Sequence, residues 1–488
     1  PSSAASDGYK RQVLAFLFFT PFASASVIYQ TEVIGEDVVG NVTLLMESEE
    51  PVDVWDMRWS LSEGMDILWV KDESGYLNFD LIGNEIRFKT KRDPDRYREV
   101  VTMGVRIRGT LDKRFLPAKL MEFSFPSFEG DETLVELQQD GIISYYHSFG
   151  FDASYKNGTL KLRGFGPLAL ITLSGEPERV YKHYYLFKGK DISDADEFFG
   201  IIPMVTGVLP PFERFGVLML TNRIYDRYID TWSAGVYRRG GLVVVREEPR
   251  DSSLIGEILH ETTHGFNSQV MKWDMTNVSW FDEGVCKYIE FLGNKLSGKP
   301  QAEIFGEPVR YRKGLVTYVI PPRSTPDELW EYYTSRKDFM REWSPAEDEH
   351  REFGYAFSEL VIRNYILENG PDALHRIYRR LLEINRKIED PEEYNQLFEE
   401  MGIDLTPCYP LTRGEFEKCL KKINEMDAEV PERAELLTLP TREGNCTDFN
   451  IYEIKRSFEE RKEKGILEEL EEILMNLLDS ILSLFSFS

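Results

Sequence analysis

The segment LIGEILHETTHGFNS, residues 254–268, places two of the chain's six histidines four positions apart. It is entered through Asp251-Ser252-Ser253, side chains that cap helix N-termini, and its apolar residues recur at helical spacing. Positions i and i+4 share one helical face, so His260 and His264 can reach one metal ion together. Glu261 stands beside them, placed to take a proton from a water that such an ion activates. Two histidines decorating a surface helix would look the same in isolation, but six histidines in 488 residues make a chance match rare.

A catalytic zinc ion takes three protein ligands and keeps one open position. Eighteen residues separate His264 from Glu283, which opens the run Glu283-Gly284-Val285-Cys286-Lys287-Tyr288-Ile289-Glu290. That interval lets a second helix turn back antiparallel to the first and offer Glu283 as the third ligand, for one Zn2+ per chain. Glu290 lies seven residues on, along the same helical face. It either hydrogen-bonds a ligand histidine from behind or stands as a solvated carboxylate.

His-Glu-x-x-His, eighteen residues, then Glu-Gly-x-x-x-Tyr-x-Glu resembles the gluzincin metallopeptidases, most closely the aminopeptidase N-like branch, over residues 230–370. Members of that branch have Asn-Glu-Gly-Phe-Ala where this chain has Asp282-Glu283-Gly284-Val285-Cys286. The resemblance implies a thermolysin-like catalytic domain, zinc as the metal, Glu261 as general base, and a peptide or protein substrate. It also implies an N-terminal β-domain and a helical C-terminal part. In the family, a tyrosine of a Tyr-x-x-Gly segment stabilises the oxyanion. Tyr355-Ala356-Phe357-Ser358 is the match, with Ser358 replacing the glycine; a core aromatic is the other reading of Tyr355.

One departure bears on specificity. The aminopeptidases carry Gly-Ala-Met-Glu-Asn before Trp-Gly-Leu, and its glutamate holds the substrate's free amine. With that Gly-Leu pair aligned on Gly241-Leu242, the glutamate position falls on Arg238. A guanidinium repels an ammonium and attracts carboxylates. Arg238, Gly241 and Leu242 are the expected substrate-binding residues, with the strand from Gly241 to Val245 as the edge on which a peptide pairs.

Outward from the motif, the chain reads as a multi-domain α+β protein. Lys10 and Arg11, the apolar run Val13–Phe22 and Ala23-Ser24-Ala25-Ser26 have the three parts of a secretory signal, expected over residues 1–26. Residues 27–175 alternate in short strands, as in Leu77–Leu81 and Ile86–Lys89, with a hairpin turn at Asn157-Gly158, and predict a β-sandwich-like domain. Residues 176–295 mix strands, at Phe215–Thr221 and Gly241–Arg246, with the zinc-binding helices. Residues 296–430 read as mostly helical, with 3.6-residue spacing from Tyr355 to Ile384. In 431–488, Leu467, Leu470, Leu474, Leu477, Ile481 and Leu484 mark an amphipathic helix, expected to dock on its own chain, a second protomer or a membrane surface.

A net charge of −26 excludes nucleic acid as a partner, and 42% hydrophobic residues suffice for real cores. Four sequons, at Asn41, Asn157, Asn277 and Asn445, fit export, as does the grouping of Cys408, Cys419 and Cys446, of which one pair suits a disulfide. Cys286 reads as a small buried residue. These readings predict a secreted zinc peptidase, an endopeptidase rather than an ordinary aminopeptidase. The alternatives are an exopeptidase with unusual terminus recognition and a non-catalytic secreted binding protein on the same scaffold.

Overall fold

The computed structural model describes residues 22–426 except 49, 94–95, 129, 250–251, 272–277, 299–302, 307, 314–315, 321, 336–340, 342, 346–349, 385–387, 389 and 410–411. The basic flank and apolar run of the expected signal, up to residue 21, and the C-terminal amphipathic helix lie outside the described residues.

The N-terminal part is all strand. Its elements are β1 (Phe22–Ile34), β2 (Asp37–Ser48), β3 (Asp56–Ser60), β4 (Met65–Asp72), β5 (Gly75–Tyr76), β6 (Phe79–Ile82), β7 (Glu85–Lys89) and β8 (Arg98–Arg108). They continue with β9 (Thr110–Leu111), β10 (Lys119–Phe125), β11 (Glu132–Gln138), β12 (Ile142–His147), β13 (Phe151–Lys156), β14 (Thr159–Phe165) and β15 (Leu168–Ser174). An eight-stranded sheet in the order β13-β14-β11-β1-β2-β8-β4-β5 faces smaller sheets, β12-β15-β10-β9 and β3-β7-β6. Alternation produces the layering: Val42, Leu44 and Met46 of β2 turn inward into the core that also holds Trp55, Trp59 and Phe123, while their neighbours face out. Asn157 and Gly158 both take positive φ, 52° and 76°, as the expected two-residue hairpin turn requires. Among the described residues β1 reaches back to Phe22, and its pairs with β2 include Ser24, Ala25 and Ser26, ahead of the expected boundary at residue 27.

Next comes a five-stranded sheet in the order β16-β17-β18-β20-β19, where β16 is Arg179–Val180, β17 Tyr184–Lys188, β18 Phe215–Leu220, β19 Gly235–Arg238 and β20 Leu242–Arg246. Strands β17, β18 and β20 are parallel, with β18 and β20 wholly buried, whereas β19 runs antiparallel at the edge. This corrects the expected edge strand. Leu242 and its successors lie between β18 and β19, so the free edge belongs to Gly235–Arg238. Gly240 and Gly241, at φ 92° and 88°, make the tight return between β19 and β20 that a side chain would strain.

Helices α1 (Ser193–Phe198), α2 (Ile201–Thr206) and α3 (Asn222–Tyr228) flank this sheet, and α4 (Leu254–Val270) and α5 (Ser279–Leu296) carry the motif. Ser253 caps α4 by accepting from the Gly256 N–H at 2.9 Å. Small residues let the helices close up. A Cβ on Gly293 would lie 2.8 Å from Leu259 Cδ1. The later helices are α6 (Pro326–Ser335), α7 (Arg351–Asn369), α8 (Ala373–Ile384), α9 (Pro391–Glu400) and α10 (Arg413–Asn424). A Cβ on Gly284 of α5 would lie 2.6 Å from the Ser358 carbonyl of α7, so position 284 must stay glycine for the helices to approach this closely.

The part beyond residue 296 is mostly helical, as expected, with two added details. A hairpin, β21 (Val309–Lys313) with β22 (Val316–Ile320), interrupts the helical part. The periodic stretch from Tyr355 to Ile384 is two helices, since Gly370 at φ 90° and Pro371 end α7. Among the described residues no helix is long and apolar enough to cross a membrane.

Candidate metal centre and active site

Helices α4 and α5 pack side by side with their functional groups turned toward each other. His260 Nε2 lies 3.3 Å and His264 Nε2 3.7 Å from the same oxygen, Glu283 Oε2. That oxygen is buried and makes no hydrogen bond. Leaving a buried carboxylate oxygen unmet is costly, so its surroundings call for a cation. Three donors each about 2.0–2.1 Å from a tetrahedral ion lie roughly 3.3–3.5 Å apart. The distances from the two imidazoles to Glu283, 3.3 and 3.7 Å, are near that spacing.

The outward nitrogens are fixed from behind. His260 Nδ1 donates to Glu290 Oε2 at 3.1 Å and His264 Nδ1 to Asp282 Oδ2 at 2.9 Å. Carboxylates only accept, so each ring carries a hydrogen on Nδ1, which leaves Nε2, the nitrogen facing Glu283, as the one a cation can take. Asn267 holds Asp282 in turn, donating to Oδ1 at 2.6 Å, and the Tyr378 hydroxyl donates to Asn267. Of the two readings of Glu290, the buried histidine partner is the observed one. Sequence reading missed Asp282, although its place directly before the third ligand was a usable signal.

Glu290 also anchors a buried chain of charge. Lys287 Nζ lies 2.6 Å and Arg323 Nη2 3.2 Å from it, Arg323 reaches Glu359 at 3.4 Å, and Glu359 pairs with Arg363. Burial works against the ionised carboxyl, but Lys287 and Arg323 hold Glu290 well below the usual carboxylate range. Burial and Lys287 oppose charge on His260, yet Glu283, Glu290 and Glu261 outweigh them and carry it up to about 9. Without metal the imidazole therefore keeps its proton, and a cation entering the site displaces it.

Glu261 is buried, and burial pushes its carboxyl up to about 7 against the pull of His260 and His264. Gly235 of the edge strand lies directly against it; a Cβ there would sit 2.7 Å from Glu261 Oε1. Tyr355, near the start of α7, is half-buried, with Lys287 Nζ 5.2 Å from its ring centre. Burial, then Glu283 and Glu261, push its phenol well above the ordinary value, so the hydroxyl stays protonated and able to donate. Core packing is part of its role too, since Trp343 stacks edge-on against it.

Cys286 is the one competing donor in the neighbourhood among the described residues, since its Sγ and the two histidines lie within 4.8 Å of one another. It approaches His264 from the wrong side: Sγ is 3.5 Å from Nδ1, the nitrogen already bonded to Asp282. Glu283 faces both Nε2 atoms without breaking either supporting bond.

The expected substrate residues divide. Gly241 and Leu242 are buried, Leu242 wholly, and cannot meet a peptide. Arg238 remains on the edge strand. Tyr237 faces α4, where Gly265 touches it, and strand alternation sends Arg238 to the opposite face, 5.5 Å from the Phe115 ring centre.

No protein-family model matches the chain, and no curated protein does. Among solved structures it is similar to an M1 zinc metallopeptidase from Deinococcus radiodurans, at 14% identity and a TM-score of 0.36, covering 84% of this chain and 95% of that one. A mutant of that protein bound to a Tyr-Ser-Ala substrate gives 13% identity and a TM-score of 0.36 with the same coverage.

Proposed function

We propose that this chain is a zinc-dependent peptidase with His260, His264 and Glu283 as ligands and Glu261 as general base. The observation that carries the reading is the unmet Glu283 oxygen facing two imidazole nitrogens held in position by Glu290 and Asp282. When bound, zinc lowers the pKa of water to about 7 and polarises the scissile carbonyl. Glu261 takes the proton of the attacking water and returns it to the departing amine. The Tyr355 hydroxyl donates to the oxyanion, a contribution of roughly 2.7–4 kcal/mol if it matches other oxyanion donors.

The edge of β19 supports the finer reading. No strand pairs with its outer side among the described residues, so an extended peptide can add there beside Glu261. Arg238 stands where an aminopeptidase of the resembled branch needs a carboxylate, which favours cutting within chains over removing N-terminal residues. Export is part of the proposal, supported by the signal-like segment and by the Cys408–Cys419 disulfide, a bond at home in oxidising compartments.

Mass-spectrometric profiling of a mixed peptide library with wild type and Glu261→Gln tests it. Internal cleavage by the wild type alone, abolished by a chelator and restored by zinc, is expected. Absence of cleavage by the zinc-loaded wild type would refute the peptidase, and release of single N-terminal residues would refute the endopeptidase.

A further inference from the structure

Arg238 makes no hydrogen bond or ion pair among the described residues, and its Nε is buried without a partner. Its neighbours do not supply one. Asp112 attracts Arg238 electrostatically, but Arg114 claims that carboxylate, with Nε 2.8 Å from Oδ1 and Nη2 2.5 Å from Oδ2. Arg114 is satisfied further by the Tyr228 carbonyl at 3.2 Å. Two guanidiniums therefore share one carboxylate at the junction of β19 with the turn at Asp112–Phe115, which the N-terminal β-domain contributes. Burial, then Arg114, lower the pKa of Arg238. A partly buried cation left unpaired this way is costly unless an anion arrives.

Strand geometry says where that anion comes from. Gly235 abuts Glu261, and Arg238 is three residues along the same edge, roughly 10 Å away at 3.3 Å per residue. A peptide paired with β19 places every second side chain on the face that carries Arg238, directly across from it. That side chain meets Arg238 about three residues from the bond being cut.

We infer that Arg238, framed by Phe115 and Arg114 of the N-terminal domain, is a carboxylate-binding subsite that selects peptides with an acidic group about three residues from the scissile bond. The inference rests on the peptidase reading for its register. It makes the N-terminal domain part of substrate recognition.

Binding tests it independently of turnover. Fluorescence anisotropy with zinc-loaded Glu261→Gln compares labelled decapeptides that differ only by Glu or Gln at one position, each with a free or amidated C-terminus. The Glu peptide is expected to bind roughly tenfold tighter or more, the scale of one charge-assisted hydrogen bond. Adding Arg238→Gln should erase the difference, with unchanged zinc stoichiometry showing that the fold is intact. Arg238→Lys should restore part of it. A preference that survives amidation assigns the anion to the side chain and supports the subsite, and one lost on amidation counts against it. Equal binding of each pair, binding of neither peptide, or a preference that persists in Arg238→Gln overturns it. Failure of the peptidase reading shows separately, as absence of cleavage by the wild type.

Discussion

Replacing Glu290 by glutamine tests how the ligand histidines are held. The carboxylate meets three groups at once: His260 Nδ1 at 3.1 Å, Lys287 Nζ at 2.6 Å and Arg323 Nη2 at 3.2 Å. Arg323 retains Glu359 after the change, but Lys287 loses its only carboxylate partner among the described residues. Breaking a buried pair this way costs about 3–5 kcal/mol. The Lys287 side chain is 16% exposed, which places the loss near the low end, about 3 kcal/mol. The supporting bond to His260 weakens as well, so metal affinity should fall roughly 10–100-fold. Urea unfolding of metal-free protein reads the first effect, and zinc competition against a chromophoric chelator reads the second. Adding Lys287→Met should recover stability by removing the orphaned ammonium, without recovering affinity. A Glu290→Gln protein within about 1 kcal/mol of wild type, or one with unchanged zinc affinity, would refute this account of the buried charge chain.

Other perturbations have outcomes as definite. Gly284→Ala forces a Cβ within 2.6 Å of the Ser358 carbonyl and 2.8 Å of Ile362 Cγ1. It should cost about 1–3 kcal/mol in urea unfolding and lower zinc affinity by shifting Glu283. Gly235→Ala pushes on Glu261, so kcat should drop at least roughly tenfold, the cost of misplacing a catalytic group, while zinc stoichiometry stays at wild type. His183 stacks on Phe199 with Nδ1 buried and unmet, and burial, with Lys182 and Arg214, lowers its pKa to about 3. The unfolded chain titrates His183 near 6.5, so unfolded protein binds more protons between those values. Stability is then full above pH 6.5 and falls as pH drops toward 3. His183→Phe keeps the stack and should lose about 2 kcal/mol less than wild type between pH 6.5 and 5, read by urea unfolding.

The parts of the site that depend on local spacing were legible. Two histidines one turn apart, a serine cap before them and a glutamate at the return of the next helix are relations within about thirty residues, and all three hold. So does the Asn157-Gly158 turn, where two adjacent residues suited to positive φ determine the geometry. Relations that close over long distances were not. Arg323, Glu359 and Arg363 join the chain behind His260 only because α5 and α7 touch at Gly284 and Ser358, and no local pattern announces that contact. The edge strand was misplaced for a similar reason. Gly241–Val245 has the apolar run of a strand, but strand order, not composition, decides which strand is at the edge. Gly235–Arg238 is four residues long and half polar, so it carries little strand signal of its own.

The central claim is the ligand set, and X-ray absorption at the zinc edge of the loaded protein tests it most directly. The account predicts a first shell of nitrogen and oxygen alone at about 2.0–2.2 Å, with imidazole back-scattering from two rings. A sulfur scatterer at about 2.3 Å would contradict it, transferring the third ligand from Glu283 to Cys286.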